Sequence, residues 1–340
     1  MKKFVRVLLI LAACLACLGV VLTAGGAFWS TRVYNRLLVP EEAVGTSFPL
    51  NADTLSSLTL NVGVGEIRFA EASSPDAARI DTEGFAEGDF TFTESADGSA
   101  VLRSRSLIGG ESIFNLGFLR MDWLGRLHTG TLTQRIVTVY LPAGQLDQLR
   151  IEGGTGDIGG TLPVSARELS ISCGTGNVNL SGLRADEVSL EAGMGNIALD
   201  QFACKKLTVS GGTGGLTLRD GEATESAEFE LGTGTTQLHR VALHNLNLSA
   251  GVGSLSLSGT LRGDCEIELG VGSTNIHLLE PSAHYAAEID RGMGSFSVSG
   301  ADVLRLDDDT EAISAEGDAD CQLKIQMGVG SLALSFDPEI

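Results

Sequence analysis

The stretch that decides the fold is Leu149-Arg-Ile-Glu-Gly-Gly-Thr-Gly-Asp-Ile158, because its Gly-X-Gly centre recurs along the chain. The paired glycines are Gly63 and Gly65, Gly154 and Gly156, Gly174 and Gly176, Gly193 and Gly195, and Gly212 and Gly214. They continue with Gly232 and Gly234, Gly251 and Gly253, Gly270 and Gly272, Gly292 and Gly294, and Gly328 and Gly330. From Gly154 to Gly270 the first glycines are spaced by 20, 19, 19, 20, 19 and 19 residues. A period that steady predicts an all-β chain, an elongated parallel β-solenoid with coils of 19–20 residues.

Aligned on the first glycine, the ten copies share two apolar columns. Five residues upstream stand Leu58, Leu149, Leu169, Val188, Leu207, Ala227, Leu246, Cys265, Ala287 and Leu323. Three upstream stand Leu60, Ile151, Ile171, Leu190, Val209, Phe229, Leu248, Ile267, Ile289 and Ile325. The positions four and two upstream are polar or charged in every copy, so each copy begins as a strand with one buried face. Downstream, apolar residues return at four and six, as in Val178 and Leu180, Ile197 and Leu199, and Leu255 and Leu257. The inward parity therefore runs through the residue between the glycines and resumes three positions later, which requires a bend. The second glycine can hold φ > 0 there without a Cβ penalty. Gly154-Thr-Gly-Asp-Ile-Gly159 also fits the dinucleotide fingerprint GxGxxG. No helical pattern follows it and its sister copies lack the third glycine, so the glycines are read as architectural.

Two upstream of the glycine, Glu152, Ser172, Glu191, Ser210, Glu230, Ser249 and Glu268 alternate acid with hydroxyl, and Asp290 follows. Coils stack about 4.8 Å apart, so the alternation doubles the separation of like charges. A face for a cation or a partner is the sharper reading of the same column.

Working outward, Met1-Lys-Lys-Phe-Val-Arg6 is a basic head and Val7 to Phe28 is an uncharged, mostly apolar run of 22 residues. As a helix that run spans roughly 30 Å of hydrocarbon. Trp29 and Tyr34 stand where an interfacial belt would lie, and the basic head predicts a cytoplasmic N-terminus. The chain is then single-pass in a cell membrane, with its bulk extracytoplasmic. Two alternatives stay open: a cleaved signal with Gly25-Gly-Ala27 at the cleavage site, and a lipobox-like Leu11-Ala-Ala-Cys14. The predicted organisation is head and anchor over 1–29, juxtamembrane linker over 30–50, irregular β region with an apolar insertion over 51–147, and regular coils over 148–340.

The 340 residues carry a formal charge of −20, and 44 of them are glycines without the three-residue period of collagen. So acidic a body argues against nucleic acid and against electrostatic docking to anionic lipid. Cys14 and Cys17 fall in the apolar run. Cys173, Cys204, Cys265 and Cys321 fall in different columns and non-adjacent copies, which predicts buried free thiols rather than disulfides.

Val137-Thr-Val-Tyr-Leu-Pro142, then Leu149-Arg-Ile-Glu, Thr155-Gly-Asp-Ile158 and the repeated strand-Gly-strand units resemble the bacterial "putative adhesin" β-strand-repeat domain family. The likeness covers residues from Leu55 to the C-terminus. It implies a cell-envelope protein, brings no catalytic residues and, through related proteins, implies a link to envelope-stress signalling.

A search for chemistry finds little that converges. His239 and His277 share a polar column but lie two coils apart, about 10 Å, too far to share a metal. Asp307-Asp-Asp309 with Glu311, and Glu316 with Asp318 and Asp320, fit no EF-hand spacing, although calcium binding by these acidic loops stays open. Basic residues are scattered singly, without the acid–base pair that a polysaccharide lyase needs. No catalytic, cofactor or metal residue is therefore assigned. The expected role is an adhesin-like surface binding or structural module, with envelope-stress sensing as the alternative and a glycan-active β-helix enzyme as the third reading. The expected partners are the membrane, through the N-terminal helix, and an envelope protein or glycan. The insertion Ile113-Phe-Asn-Leu-Gly-Phe-Leu-Arg-Met-Asp-Trp-Leu-Gly-Arg-Leu127 concentrates apolar and aromatic residues. Its Ile113, Phe114, Phe118, Met121, Trp123 and Leu124 are the candidate partner or membrane contact, or else a cap on the first coil.

Overall fold

Alternation over Leu149-Arg-Ile-Glu152 leaves one apolar face, and the strand that carries it buries Leu149 and Ile151. The computed structural model describes residues 44–105, 134–160, 165–290, 292–306, 310–313 and 319–338. The chain divides into two units, one of Met1–Gly45, Glu83–Glu87 and Ser106–Gln134, the other of Thr46–Thr82, Gly88–Arg105 and Arg135–Ile340. The second unit carries the repeats.

The strands begin with β1 (Val44–Pro49), β2 (Ser57–Val64), β3 (Glu66–Glu71), β4 (Arg79–Phe85), β5 (Phe90–Glu94), β6 (Ser99–Ser104) and β7 (Ile136–Leu141). The central coils are built from β8 (Gln145–Thr155), β9 (Ile158–Gly160), β10 (Ser165–Thr175), β11 (Val178–Ser181), β12 (Arg184–Met194), β13 (Ile197–Asp200), β14 (Ala203–Thr213), β15 (Leu216–His244) and β16 (Leu246–Leu278). The last are β17 (Tyr285–Asp290), β18 (Met293–Ser299), β19 (Leu304–Arg305), β20 (Thr310–Ile313) and β21 (Cys321–Phe336).

Strands of successive coils pair in parallel and in register, with single shifts between Cys204 and Lys206 and between His239 and Val241. Ile151 lies opposite Ile171, Ile171 opposite Leu190, Leu190 opposite Val209, Val209 opposite Phe229 and Phe229 opposite Leu248. After the glycines a second ladder forms, with Ile158, Val178, Ile197 and Leu216 in line. All of these side chains are buried, so the core is a column of aliphatic side chains, with Phe229 among them, between two parallel ladders.

The glycines are required by stacking as much as by dihedral angle. Gly176 has φ +144°, and a Cβ built on it would lie 2.1 Å from the carbonyl oxygen of Gly156 in the preceding coil. The amide of Gly176 meanwhile donates to the carbonyl of Met194, 2.9 Å away, in the following coil. The backbone therefore keeps its inter-coil hydrogen bonds through the bend, and any side chain there would stand where a carbonyl already is.

Chain order and stacking order differ at both ends. The outlying copy at Gly63 forms a coil against the one at Gly154, with Leu58 opposite Leu149 and Ile67 opposite Ile158. β6 pairs with the far edge of β2, and β7 with that of β3. At the other end β21 lies between two coils that precede it. Ile325 faces Ile267 on one side and Ile289 on the other, and Leu332 faces Thr274 and Phe296. The long gap between Gly294 and Gly328 holds β19 and β20, which pair antiparallel, and β20 lies antiparallel along β17.

This insertion explains two charged columns. Along the acidic column, Gln326 separates Glu268 from Asp290, and at the opposite end Asn61 donates to Glu152 at 2.7 Å. Four upstream of the glycine, Lys324 stands between Glu266 and Glu288 and bonds Glu266 at 2.8 Å. Its hydrogen bond and charge contact with Glu266 hold the Lys324 ammonium above its ordinary pKa. Without β21, Glu266 would stack on Glu288 and Glu268 on Asp290.

The expectation of buried free thiols holds, but the insertion corrects its premise that the cysteines sit in non-adjacent copies. All four described cysteines are free and buried. Cys265 and Cys321, however, stand on adjacent strands, with Cys321 opposite Gly263 and Cys265 opposite Leu323. Their copies are remote only in chain order.

Gly176→Val is expected to cost about 3 kcal/mol or more, from strained φ and from the clash with Gly156. Because solenoid stability is nearly a sum over neighbours, amide exchange should accelerate first in β10 and β12; unchanged exchange there would refute the stacking account. Lys324→Glu is expected to loosen β21, seen as faster exchange over residues 321–336 that slows again as salt is raised. Lys324→Gln should do so more weakly, and equal effects of the two changes would rule out charge separation as the cause.

Candidate functional site

The candidate contact residues Ile113, Phe114, Phe118, Met121, Trp123 and Leu124 lie outside the described residues, as does the N-terminal run Val7 to Phe28. Among the described residues no helix is long and apolar enough to cross a membrane. The repeat glycines sit at the bend of each coil, and the surface they create repeats once per coil.

The residue between each glycine pair faces outward, against the inward parity expected from the sequence. Met194 is 57% exposed, Val252 51% and Met293 70%, and Thr155, Thr175, Thr213 and Thr233 are also exposed. Parity holds as far as the residue before the first glycine, where Cys173, Ala192 and Met327 are buried. One pair of positions later the chain is already turning, and the side chain stands on the outside of the bend. Registers place these residues in one file: Val64, Thr155, Thr175, Met194, Thr213, Thr233 and Val252, with Val271, Val329 and Met293 at the far end. Glycines flank every member, so the file is a ridge one side chain wide. Hydroxyl groups dominate its first half and apolar groups its second.

Beside the ridge runs a ladder that the sequence reading missed. Asp157 accepts from the backbone N–H of Asn177 at 2.7 Å, Asn177 from that of Asn196 at 3.0 Å, and Asn196 from that of Gly215 at 2.8 Å. The side-chain amides of Asn177 and Asn196 donate back along the same file at 3.1 Å. These bonds tie neighbouring coils together where the strand ladder is interrupted by the bend. The Asp/Asn column three after the glycine was visible in the sequence and was its only signal.

The outward sheet face carries ion pairs between coils: Lys206 with Glu187 at 2.7 Å, Lys205 with Asp186 at 3.0 Å and Arg167 with Asp147 at 3.0 Å. All are exposed and add little stability. A less exposed trio joins Arg262, Glu280 and Tyr285, in which the Tyr285 hydroxyl donates to Glu280 at 3.1 Å. The hydrogen bond from Arg262 holds the Glu280 carboxyl below its ordinary pKa, and burial pushes the Tyr285 phenol up.

Chemistry-bearing groups are dispersed. His277 bonds Asp337 at 2.9 Å, His284 bonds Asp320 at 2.7 Å, and His239 is exposed. Among the described residues no group of three or more His, Cys, Asp or Glu side chains could hold a metal. Burial, and then the Glu222 charge, push the Cys204 thiol up to about 12, which makes it a poor nucleophile at neutral pH.

Asn177→Ala is expected to cost about 1 kcal/mol, the worth of a net hydrogen bond. Amide exchange at Asn196, which loses its acceptor, should accelerate more than that at Val178, whose N–H donates to the backbone carbonyl of Asn196; equal acceleration would mean that the ladder does not act locally.

The chain resembles three solved bacterial structures. A "putative cell adhesion protein" from Clostridium sporogenes ATCC 15579 is 13% identical, with 87% of this chain and 100% of that one covered and a TM-score of 0.25. A "putative adhesin" from Parabacteroides distasonis ATCC 8503 is 10% identical over 88% and 98%, with a TM-score of 0.44. Another from Bacteroides fragilis NCTC 9343 is 12% identical over 87% and 99%, with a TM-score of 0.30. No curated protein matches. The Toastrack DUF4097 family model matches residues 117–328, more than half of the sequence. The chain belongs to the Toastrack DUF4097 family.

Proposed function

We propose that this chain is a membrane-anchored, extracytoplasmic β-solenoid that serves a cell envelope as an adhesin-like binding or structural module. The observation that carries the reading is the exposed ridge at the glycine bends. It repeats one small contact, a threonine, valine or methionine between two bare glycines, once per coil at about 4.8 Å. A rigid file of that kind suits recognition of an extended partner, because many weak contacts in fixed register add together. Its polar half and apolar half suit a chain with both hydroxyl and nonpolar faces, such as an envelope glycan or an extended protein segment. The apolar run Val7 to Phe28 supports anchoring, and the acidic body supports a partner that is not nucleic acid. The proposed role is recognition, without a catalytic step.

Protease added to intact cells that make the full chain is expected to remove the coils and leave an N-terminal fragment in the membrane. Full protection, or release of the whole chain into the soluble fraction, would reject the anchored topology. In the same cells, Val252→Glu with Val271→Glu should reduce attachment to isolated envelopes several-fold while the protein stays folded; undiminished attachment would reject the ridge as the contact.

A further inference from the structure

The two halves of the last coil are finished differently. At the β17 half of the last coil, β20 pairs along the edge, and Ala287 and Ile289 are buried. At the β18 half, the only strand paired with β18 among the described residues is β21, on one side. Phe296 and Val298 occupy the columns that bury Leu332 and Leu334 one coil earlier, yet they are themselves half-exposed. β18 thus presents a row of backbone groups and the open end of the apolar core together. Its sequence, Met293-Gly-Ser-Phe-Ser-Val-Ser299, has no charge and no proline, the usual protections of an edge strand.

We infer that β18 is a self-association edge, and that a second copy of this chain pairs with it antiparallel about a two-fold axis through Phe296. The strand is self-complementary in that register. Phe296 meets Phe296 of the second copy, Ser295 meets its Ser297, and Val298 meets its Gly294, a branched side chain against a residue with none. Met293 meets Ser299. Direct cross-strand aromatic and hydroxyl pairs each favour such a ladder, and the two-fold places every one of them twice. The inward residues of both copies then form one continuous apolar layer, which covers the half-exposed Phe296 and Val298. Charge selects the same place: two chains that each carry −20 repel over most of their surface, and β18 is an uncharged stretch along which they can meet. Because strand order within each copy ends at β18, the pairing closes on itself and gives a dimer instead of a filament.

The test uses the full chain purified in mild detergent, with the protein mass measured by light scattering during size exclusion at micromolar concentration. The expected result is twice the 35.4 kDa of one chain. Ser295 and Ser297 are exposed, so substitutions there leave the fold intact, which an unchanged melting curve verifies. Ser295→Lys with Ser297→Lys sets like charges opposite one another and should raise the dimer dissociation constant about tenfold or more. Ser295→Lys with Ser297→Glu sets opposite charges in the same register and should restore the dimer. A monomeric wild type, a dimer that persists with both lysines, or a failure of the Lys/Glu pair to restore it would each overturn the inference.

Discussion

A carbonyl oxygen of each coil lies where a Cβ would stand in the next. At Gly272 the distance from that Cβ to the oxygen of Gly253 would be 1.5 Å, and at Gly214 the oxygen of Gly195 would be 1.8 Å away. This close approach holds the coils in register, because the only residue that fits opposite a glycine of the bend is another glycine. Once the bends coincide, the aliphatic columns ahead of and behind them coincide too. The core is thus a consequence of backbone contact, with side-chain packing filling a register already chosen.

The same lock makes the surface. One side chain is missing on either side of every bend residue, so the residue between the glycines projects alone. Hydrogen bonds that a bend would forfeit are recovered by the Asp157–Asn177–Asn196 ladder and by amides that donate to the next coil. Electrostatics then selects among coils that the glycines alone would accept. Lys324 and Gln326 fit between pairs of acids, which favours β21 between β16 and β17.

Much of the fold was legible in the sequence because its signal is repetition. Leu149, Ile151, Val178 and Leu180 could be assigned to the inside by counting, and they are buried. Counting failed at Met194 and Val252, since parity along a strand says nothing about where the outside of a bend lies. It failed at Cys265 and Cys321 for another reason: a repeat alignment lists copies in chain order, while the fold stacks them in an order set by charge and edge pairing. Glu268 beside Asp290 broke the alternation of its column, and that irregularity, with Glu266 beside Glu288 and the long gap before Gly328, was the sequence trace of a missing coil between them. The ridge had no signal of its own, because Thr, Val and Met at a bend look like core residues until the bend is seen.

β21 follows β17 and β18 in the chain yet lies inside them. During synthesis the coil at Gly292 therefore emerges before the strand it must rest on. Simple extension of the stack would set its Glu288 and Asp290 directly against Glu266 and Glu268, which like-charge repulsion disfavours. Those four carboxylates disfavour direct docking of the two coils, and the cationic and amide side chains of β21 separate them. The coil at Gly292 therefore has a complete paired neighbour only when β21 is in place.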